Sequence, residues 1–268
     1  MNSNQKFINI IKYHHYMFCS EISVAIQKND FQTIYEYVEN NAIDKIKFLG
    51  SYNVFNNLIL FRKLVDTFEV DLSCGDNILF RRAVANGNYD IVHFLIQNGI
   101  DVNVCNNFAI KVCGSHNLEL LKLLVENGAN ICVDNNYPIR YAAYQNLYDI
   151  VKYLIENGAD VNASNGYPLR FATCSINYEI IELLLENDAD INFIGQNELL
   201  KVIRSGADNI VNLLITYGVD FSVINNYQCP DGYDYSPMIK LLIENGVDPR
   251  QLALILSGKY DIKRPGFE

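Results

Sequence analysis

The chain has 268 residues, half of them hydrophobic, with 21 basic and 31 acidic residues and a formal net charge of −10. This composition supports a sizeable core and excludes an intrinsically disordered protein. The acidic balance disfavours binding to nucleic acid or to an anionic membrane, because a phosphate surface would repel the chain. With no apolar run of about 18 residues and no signal-peptide pattern, the sequence predicts a soluble intracellular protein.

The chain lacks the residue patterns of an enzyme or a metal site. Its seven cysteines are an odd number without a C-x-x-C pair, which argues against a disulfide framework or a zinc knuckle and favours a reducing compartment. The four histidines have no H-x-x-H spacing, and no G-x-S-x-G, P-loop or G-x-G-x-x-G occurs. His93 is interpreted as a residue on an outer helix face. We therefore expect no catalytic residue, no metal and no cofactor.

Residues 1–48 predict an N-terminal cap followed by a degenerate first repeat. The segment "QKFINIIKYHHYMFCSEISVAIQ" (residues 5–27) is expected to form capping helices. The segment "DFQTIYEYVENNAID" (residues 30–44) is a weak copy of the pattern that dominates the rest of the chain, and it ends at Asp44.

Residues 49–222 repeat one pattern, for which "IVKYLIENGADVN" (residues 150–162) is the clearest copy. The Asp or Asn before the final pair recurs at spacings of 30, 29, 30, 30, 30 and 28 residues, at Asp71, Asp101, Asn130, Asp160, Asp190, Asp220 and Asp248. A register held over this length predicts a stack in which each copy buries its apolar face against its neighbours. The recurring Asp is expected to hydrogen-bond its own nearby backbone rather than to act in catalysis.

Each repeat is predicted to be two helices and a short connector. In one copy Pro138 opens the first helix, where its missing N–H costs nothing, and Ala142 and Ala143 leave room for a neighbouring helix. The second helix, in "YDIVKYLIEN" (residues 148–157), has a broad apolar face formed by Ile150, Val151, Leu154 and Ile155. Gly158 then supplies the left-handed residue that ends this helix.

The pattern degenerates towards the end of the chain. Asp188 occupies the position of Gly158, so we expect it to adopt the same left-handed conformation at some energetic cost. Residues 223–268 are predicted to be a degenerate last repeat and a C-terminal cap. In them "QCPDGYDYSP" (residues 228–237) predicts a loop in place of a first helix, and "DPRQLALILSG" (residues 248–258) predicts a closing helix.

These repeats resemble the ankyrin repeat. The family pattern TPLHxAAxxGHxEIVxxLLxxGADVN is similar to "YPIRYAAYQNLYDIVKYLIENGADVN" (residues 137–162) and to "YPLRFATCSINYEIIELLLENDADIN" (residues 167–192). The resemblance extends from residue 29 to residue 248, and it implies an all-α solenoid of about eight stacked helix-turn-helix repeats with degenerate ends.

The copies are shorter than the usual repeat of that family. The missing residues fall between "GADVN" and the proline, in the connector that forms a β-hairpin finger in the family. The fingers are therefore expected to be short or reduced to turns. The copy that ends at Asn130 lacks one further residue, between its helices. Short repeats rich in Ile, Asn and Tyr resemble those of large DNA viruses with AT-rich genomes.

The resemblance also implies a binding face, because the family grips its partners with the finger tips and the end of each first helix, on the concave side of the stack. The helix-end positions that we expect to bind a partner are Asn86, His116, Tyr144, Gln145, Cys174, Ser175, Arg204 and Ser205. The connector positions are Asn136, Tyr137, Asn165 and Tyr167. Tyrosine and asparagine suit recognition, and Tyr144 is the preferred anchor. The alternative is that the asparagines only form turns.

A second recurring feature is a ladder of basic residues. The histidine of the family's TPLH is replaced in four consecutive copies by Arg81, Lys111, Arg140 and Arg170. We interpret these residues as structural, each reaching backbone carbonyls or an Asp of a neighbouring connector. The alternative is a groove for an acidic partner or for nucleic acid.

The sequence therefore predicts a non-catalytic scaffold that binds a partner protein, a host protein if the source is viral, through a preformed concave face. The alternative is a structural or virion-associated repeat protein. A ubiquitin-ligase adaptor is a weaker alternative, because we find no convincing F-box-like segment. We expect a monomer in the cytoplasm, with the virion as the alternative location, and neither nucleic acid nor a membrane as partner.

Overall fold

The computed structural model describes residues 20–41, 43–113, 117–221 and 242–247. The chain divides into two compact units, Met1–Cys113 with Glu119–Ala129 (unit 1) and Gly114–Leu118 with Asn130–Glu268 (unit 2). Among the described residues every regular element is helical and no strand occurs, as the all-α prediction requires. The predicted loop at residues 228–237 and the closing helix at residues 248–258 lie outside the described residues.

Unit 1 contains the first nine helices. They are α1 (Ser20–Lys28), α2 (Phe31–Asn40), α3 (Lys45–Leu49), α4 (Tyr52–Phe55), α5 (Leu58–Phe68), α6 (Cys74–Ala85), α7 (Tyr89–Gln97), α8 (Val104–Cys113) and α9 (Leu118–Glu126). The first residue of α9, Leu118, is assigned to unit 2. Helix α1 is the described end of the predicted N-terminal capping segment. Residues 114–116 lie between α8 and α9 in the sequence, where that copy is one residue short, and they are not among the described residues.

Unit 2 contains α10 (Val133–Tyr144), α11 (Tyr148–Glu156), α12 (Ala163–Cys174), α13 (Tyr178–Glu186), a 3-10 helix (Ile191–Phe193), α14 (Gln196–Ser205) and α15 (Asp208–Thr216). Helices α10, α12 and α14 are the first helices of three successive repeats, and α11, α13 and α15 are the second helices. Helix α10 packs against α12, and α12 packs against α14, while each first helix also packs against its own second helix.

The second helices are held by a buried apolar face. In α11, Ile150, Val151 and Leu154 are at most 4% exposed, whereas Ile155 at the edge of the face is half-buried. Burial of one such side chain stabilises the fold by about 1.5–3 kcal/mol. Across the repeat, Ala142 and Ala143 of α10 are fully buried, which confirms that small residues let the first helices approach closely.

Asparagine and glycine end the second helices. The Asn157 side-chain amide donates a 2.8 Å hydrogen bond to the carbonyl of Tyr153, four residues earlier. The same contact recurs in three other repeats, from Asn98, Asn127 and Asn187. The next residue is left-handed, with φ of 90° at Gly158 and 65° at Asp188. The predicted conformation of Asp188 is therefore confirmed.

Four of the described connectors end in a left-handed turn, three consecutive residues with φ between 47° and 68°, whereas the connector before α14 contains the 3-10 helix instead. These turns are Gly75–Asn77, Cys105–Asn107, Asp134–Asn136 and Ser164–Gly166. Asn, Asp and Gly fill most of the positions, since they adopt this conformation at the least cost. The right-handed part of α10 begins at Tyr137, so Pro138 lies in its first turn. The turns stand where the family has its β-hairpin fingers.

The recurring Asp or Asn forms a turn with its own backbone, as predicted. Its Oδ1 accepts a hydrogen bond of 2.8–3.0 Å from the backbone N–H two residues later at Asp71, Asp101, Asn130, Asp160 and Asp190. The Asn that follows links successive repeats. Asn162 donates to the carbonyl of Asp188 at 3.0 Å and accepts from the N–H of Asp190 at 2.8 Å. Hydrogen bonding therefore supplements apolar packing between repeats.

Candidate protein-binding face

The first helices of unit 2 place four tyrosines and an arginine on one surface. We call this surface the tyrosine patch, and it consists of Tyr137, Arg140, Tyr141, Tyr144 and Tyr167. Three of these tyrosines follow one another along α10 at steps of four and three residues, which puts them on one side of the helix. The other side of α10 is buried in the core. All five patch residues are half-exposed.

The rings of the patch are fixed by contacts with one another. The Tyr137 and Tyr141 rings stack at 5.7 Å between centroids. Phe171 of α12 is 4% exposed and forms the base of the patch. The Tyr144 ring meets it edge-on at 5.1 Å, and the Tyr167 ring lies 4.2 Å from it. Aromatic pairs at such distances each contribute about 0.5–1.5 kcal/mol beyond burial, so the patch is preorganised.

Arg140 is held at the centre of the patch by its own left-handed turn. Its Nε donates to the carbonyl of Asn135 at 3.1 Å, and its Nη2 donates to the carbonyl of Asp134 at 2.9 Å. The guanidinium carbon lies 5.9 Å from the ring centroid of Tyr137 and 5.4 Å from that of Tyr167, within the range of cation–π contacts. The arginine therefore joins the rings of two successive repeats.

Burial affects the ionisation of one tyrosine of the patch and of a cysteine on the same helix. Burial raises the pKa of the Tyr167 hydroxyl, although the charges of Arg140 and Arg170 act in the opposite direction. The hydroxyl therefore stays protonated near neutral pH and remains a hydrogen-bond donor. Burial also raises the pKa of the nearby Cys174 thiol, with the charge of Glu198 adding to the effect. A neutral, half-buried thiol is a poor nucleophile.

The predicted helix-end positions fall where the first helices finish. In unit 1, Asn86 is exposed and follows the last residue of α6. In unit 2 the half-exposed positions are Tyr144, Cys174, Ser175 and Arg204, and the exposed ones are Gln145 and Ser205. His116 lies outside the described residues. Of this set, the structure brings Tyr144 into the tyrosine patch.

The predicted connector positions divide into two kinds. Tyr137 and Tyr167 are members of the tyrosine patch. Asn136 and Asn165 lie in left-handed turns, with φ of 58° and 60°. The Asn136 side chain also accepts a 3.0 Å hydrogen bond from the N–H of Asp160, in the next connector. Both asparagines therefore have a structural role in their turns, and Asn136 has a second one in this hydrogen bond.

Three arginines of the basic ladder, Arg81, Arg140 and Arg170, make contacts within the fold. Arg81 donates from Nε to the carbonyl of Asp76 at 2.9 Å, and its Nη2 lies 3.8 Å from the Asp76 carboxylate. Arg140 binds the carbonyls described above. Arg170 forms an ion pair with Glu198, with Nε and Nη2 at 3.0 and 2.9 Å from Oε1. These contacts favour the structural interpretation of the ladder.

It was not predicted from the sequence that Tyr141 and Arg140 belong to an aromatic patch or that Glu198 is buried. Tyr141 and Arg140 belong to the patch, and the spacing of Tyr137, Arg140, Tyr141 and Tyr144 along one helix is a signal that could have shown it. Glu198 is 1% exposed, and its Oε2 accepts a 3.1 Å hydrogen bond from the N–H of Gly195 at the start of α14. Its burial was not evident, because the corresponding position in the preceding repeat is Pro168.

No group of three or more His, Cys, Asp or Glu residues that could hold a metal ion occurs within the part of the chain that the structure describes. None of the helices described there is long and apolar enough to cross a membrane. Unit 2 has an open depression beside the loop between α12 and α13, lined mainly by Asn146, Ser175, Ile176 and Asn177. Tyr178, Glu179 and Asn209 complete its lining.

The chain matches known ankyrin sequences over most of its length. The family model described as "Ankyrin repeats (3 copies)" matches residues 22–135, 80–165 and 107–195. An ankyrin repeat protein of Acanthamoeba polyphaga mimivirus is 35% identical over 229 residues, which cover 74% of this chain and 75% of the relative. A second protein of that virus is 34% identical over 93 residues, 34% of this chain and 28% of its own. A third is 41% identical over 63 residues, 23% of this chain and 20% of its own.

These matches agree with the features of the fold. The repeats stack as helix pairs, and the similarity to mimivirus proteins confirms the predicted resemblance to the repeats of large DNA viruses. The extent of the family match and the coverage of the first relative establish that the chain belongs to the ankyrin-repeat family.

Proposed function

We propose that this protein is a non-catalytic scaffold that binds a partner protein through the face of its first helices, with the tyrosine patch as the centre of contact. Ankyrin repeats are generally protein–protein interaction modules, and members of the family are typically not enzymes. The observation that carries the proposal is the patch itself: four half-exposed tyrosines and an arginine, with two of the rings packed against a buried phenylalanine and the other two stacked on each other.

The chemistry of the patch suits recognition. Tyrosine and arginine dominate the residues that contribute most to protein interfaces, and tyrosine offers large apolar area with a hydroxyl at its end. Because Tyr137, Tyr144 and Tyr167 already pack against other rings, little side-chain freedom is lost when a partner covers them. For a viral protein, such a partner would be a host protein, encountered in the cytoplasm.

The experiment is a quantitative affinity purification from the native cell type with two matched double variants. The patch variant carries Tyr137→Ala and Tyr144→Ala. The control carries Tyr148→Ala and Tyr217→Ala, which remove two tyrosines that are 37% and 38% exposed elsewhere in unit 2. Circular dichroism spectra are compared to establish that both variants are folded.

The proposal predicts a partner that the wild type and the control retain and that the patch variant loses. A partner list that is the same for all three proteins would contradict the role of the patch. Recovery of mainly the protein itself and particle components would favour a structural, virion-associated role instead.

A further inference from the structure

Charges are segregated between the two kinds of helix in unit 2. The first helices α10, α12 and α14 have two acidic residues, Asp134 and Glu198, and four basic residues, Arg140, Arg170, Lys201 and Arg204. The second helices α11, α13 and α15 have one basic residue, Lys152, and six acidic residues, Asp149, Glu156, Glu179, Glu182, Glu186 and Asp208. In a chain with a net charge of −10, the first helices therefore carry a positive excess.

Two of the basic residues on the first helices, Arg170 and Arg140, have different surroundings. The Arg170 guanidinium lies beside the Glu198 carboxylate, whose side chain is 2% exposed, so this pair is neutral. Arg140 donates its hydrogen bonds to neutral carbonyl oxygens and otherwise contacts two tyrosine rings. Its charge is thus oriented by the left-handed turn and displayed in the middle of the tyrosine patch, where a carboxylate from outside could approach it.

We infer that the partner bound by the tyrosine patch is an acidic protein segment. This inference rests on the proposed function of the patch. An aspartate or glutamate of the segment would pair with Arg140, and the tyrosine hydroxyls would donate further hydrogen bonds to carboxylates. Apolar or aromatic side chains of the segment would cover the tyrosine rings.

The distribution of charge also determines the side from which an acidic segment approaches the protein. The second helices repel an acidic segment, whereas the first helices attract it, so the segment is directed to the patch before contact. A nucleic acid has the charge that Arg140 would bind, but the net charge of −10 repels a continuous phosphate backbone. A protein segment with a few carboxylates fits better.

The test begins with selection of random dodecapeptides displayed on phage against the full chain. The enriched peptides are then synthesised with a fluorescent label and measured by fluorescence anisotropy at low and at high sodium chloride. Arg140→Gln removes the charge of the patch. Lys152→Gln removes a charge from the second helix of the same repeat and is the matched control. Arg140→Lys retains the charge with a different geometry.

The inference predicts enriched peptides with net negative charge, affinity that falls with salt, and weakening of about tenfold or more in Arg140→Gln but not in Lys152→Gln. Arg140→Lys should lie between the wild type and Arg140→Gln. If Arg140→Gln does not fold, the sign of charge in the enriched peptides and the salt dependence of the wild type decide the question.

The other outcomes separate the two proposals. Enrichment of neutral or basic peptides that lose affinity in the Tyr137→Ala, Tyr144→Ala variant would overturn the acidic partner and leave the patch as a binding face. Peptides whose affinity does not depend on the patch would contradict the proposed function itself. An oligothymidine single strand that displaces the acidic peptide would identify a nucleic acid as the ligand and overturn the inference.

Discussion

Asparagine determines much of the backbone geometry of this chain at the scale of single residues. Asn157 and its counterparts end the second helices, Asn162 links repeats, and Asn136 lies in a left-handed turn. Because Asp188 aligns with Gly158, its left-handed conformation could be predicted from the sequence. Ile176 has φ of 58°, which is rare for a branched side chain. It aligns with Asn146 and Gly87, which have φ of 60° and 66°, so the alignment of the repeats also predicts this conformation.

Replacement of Asp188 by glycine should stabilise the protein. Glycine adopts a left-handed conformation without the steric cost of a Cβ atom, and the hydrogen bond from Asn162 goes to the backbone carbonyl, which the substitution retains. We expect a gain of about 0.5–1 kcal/mol in the free energy of unfolding, measured by urea titration with circular dichroism. The reciprocal change Gly158→Asp should cost a similar amount. A loss of stability in Asp188→Gly would contradict the assigned helix end.

The ion pair between Arg170 and Glu198 should be asymmetric in its effect on stability. The Glu198 side chain is 2% exposed and that of Arg170 is 30% exposed, so removal of the arginine leaves a buried carboxylate without its counter-charge. Arg170→Met should cost about 3–5 kcal/mol. The double variant Arg170→Met, Glu198→Gln should recover part of that loss. Equal stability of Arg170→Met and the wild type would mean that the pair is not buried.

At the scale of elements, the left-handed turns take the place of the fingers. The sequence predicted short connectors from the missing residues, since chain length limits a hairpin. It did not predict three left-handed residues in a row, because Asn and Asp are also common in ordinary turns. Successive turns are joined, since the Asn135 side chain donates to the Ser164 hydroxyl at 3.1 Å, and the Cys105 thiol lies 3.3 Å from the Asp76 carbonyl.

A substitution at Gly166 tests how closely its turn approaches the following connector. The glycine has φ of 68°, and a Cβ atom at this position would lie 2.6 Å from Cγ of Phe193, in the following connector. Gly166→Ala should therefore destabilise the protein by about 2–4 kcal/mol, through steric overlap added to the cost of the left-handed conformation. Phe193→Ala in the same chain should relieve the overlap and restore part of the stability. An unchanged urea midpoint in Gly166→Ala would show that the turn does not contact Phe193 in this way.

Only part of the tyrosine patch could be predicted from the sequence. Tyr137, Tyr144 and Tyr167 were expected to face a partner, and they lie in the patch. Arg140 was interpreted as structural, with a groove for an acidic partner or nucleic acid as the alternative, and its tyrosine neighbours were not predicted, because a repeat alignment gives the register of a residue but not the rings around it. The contact between Arg140 and Tyr167 depends on the packing of α10 against α12, which the sequence of neither helix determines.

At the scale of the whole molecule, stability should come from packing between neighbouring helices within each compact unit. Leu154 is fully buried in α11, whereas Ile155 beside it is half-buried. Leu154→Asn should cost about 3–5 kcal/mol, since it leaves a cavity and a buried amide, and Ile155→Asn should cost clearly less. Hydrogen exchange should rise in α10 to α13 of the Leu154 variant. Similar losses for both variants would contradict the assigned core face.

The central claim is that a partner protein covers the first helices rather than the second. The most direct measurement is hydrogen–deuterium exchange of the full chain, alone and saturated with the partner that affinity purification identifies. We expect slower exchange in α10 and α12 on binding, with α11 and α13 unchanged at their exposed surfaces. Protection confined to α11 and α13, with no change in α10 and α12, would contradict the claim.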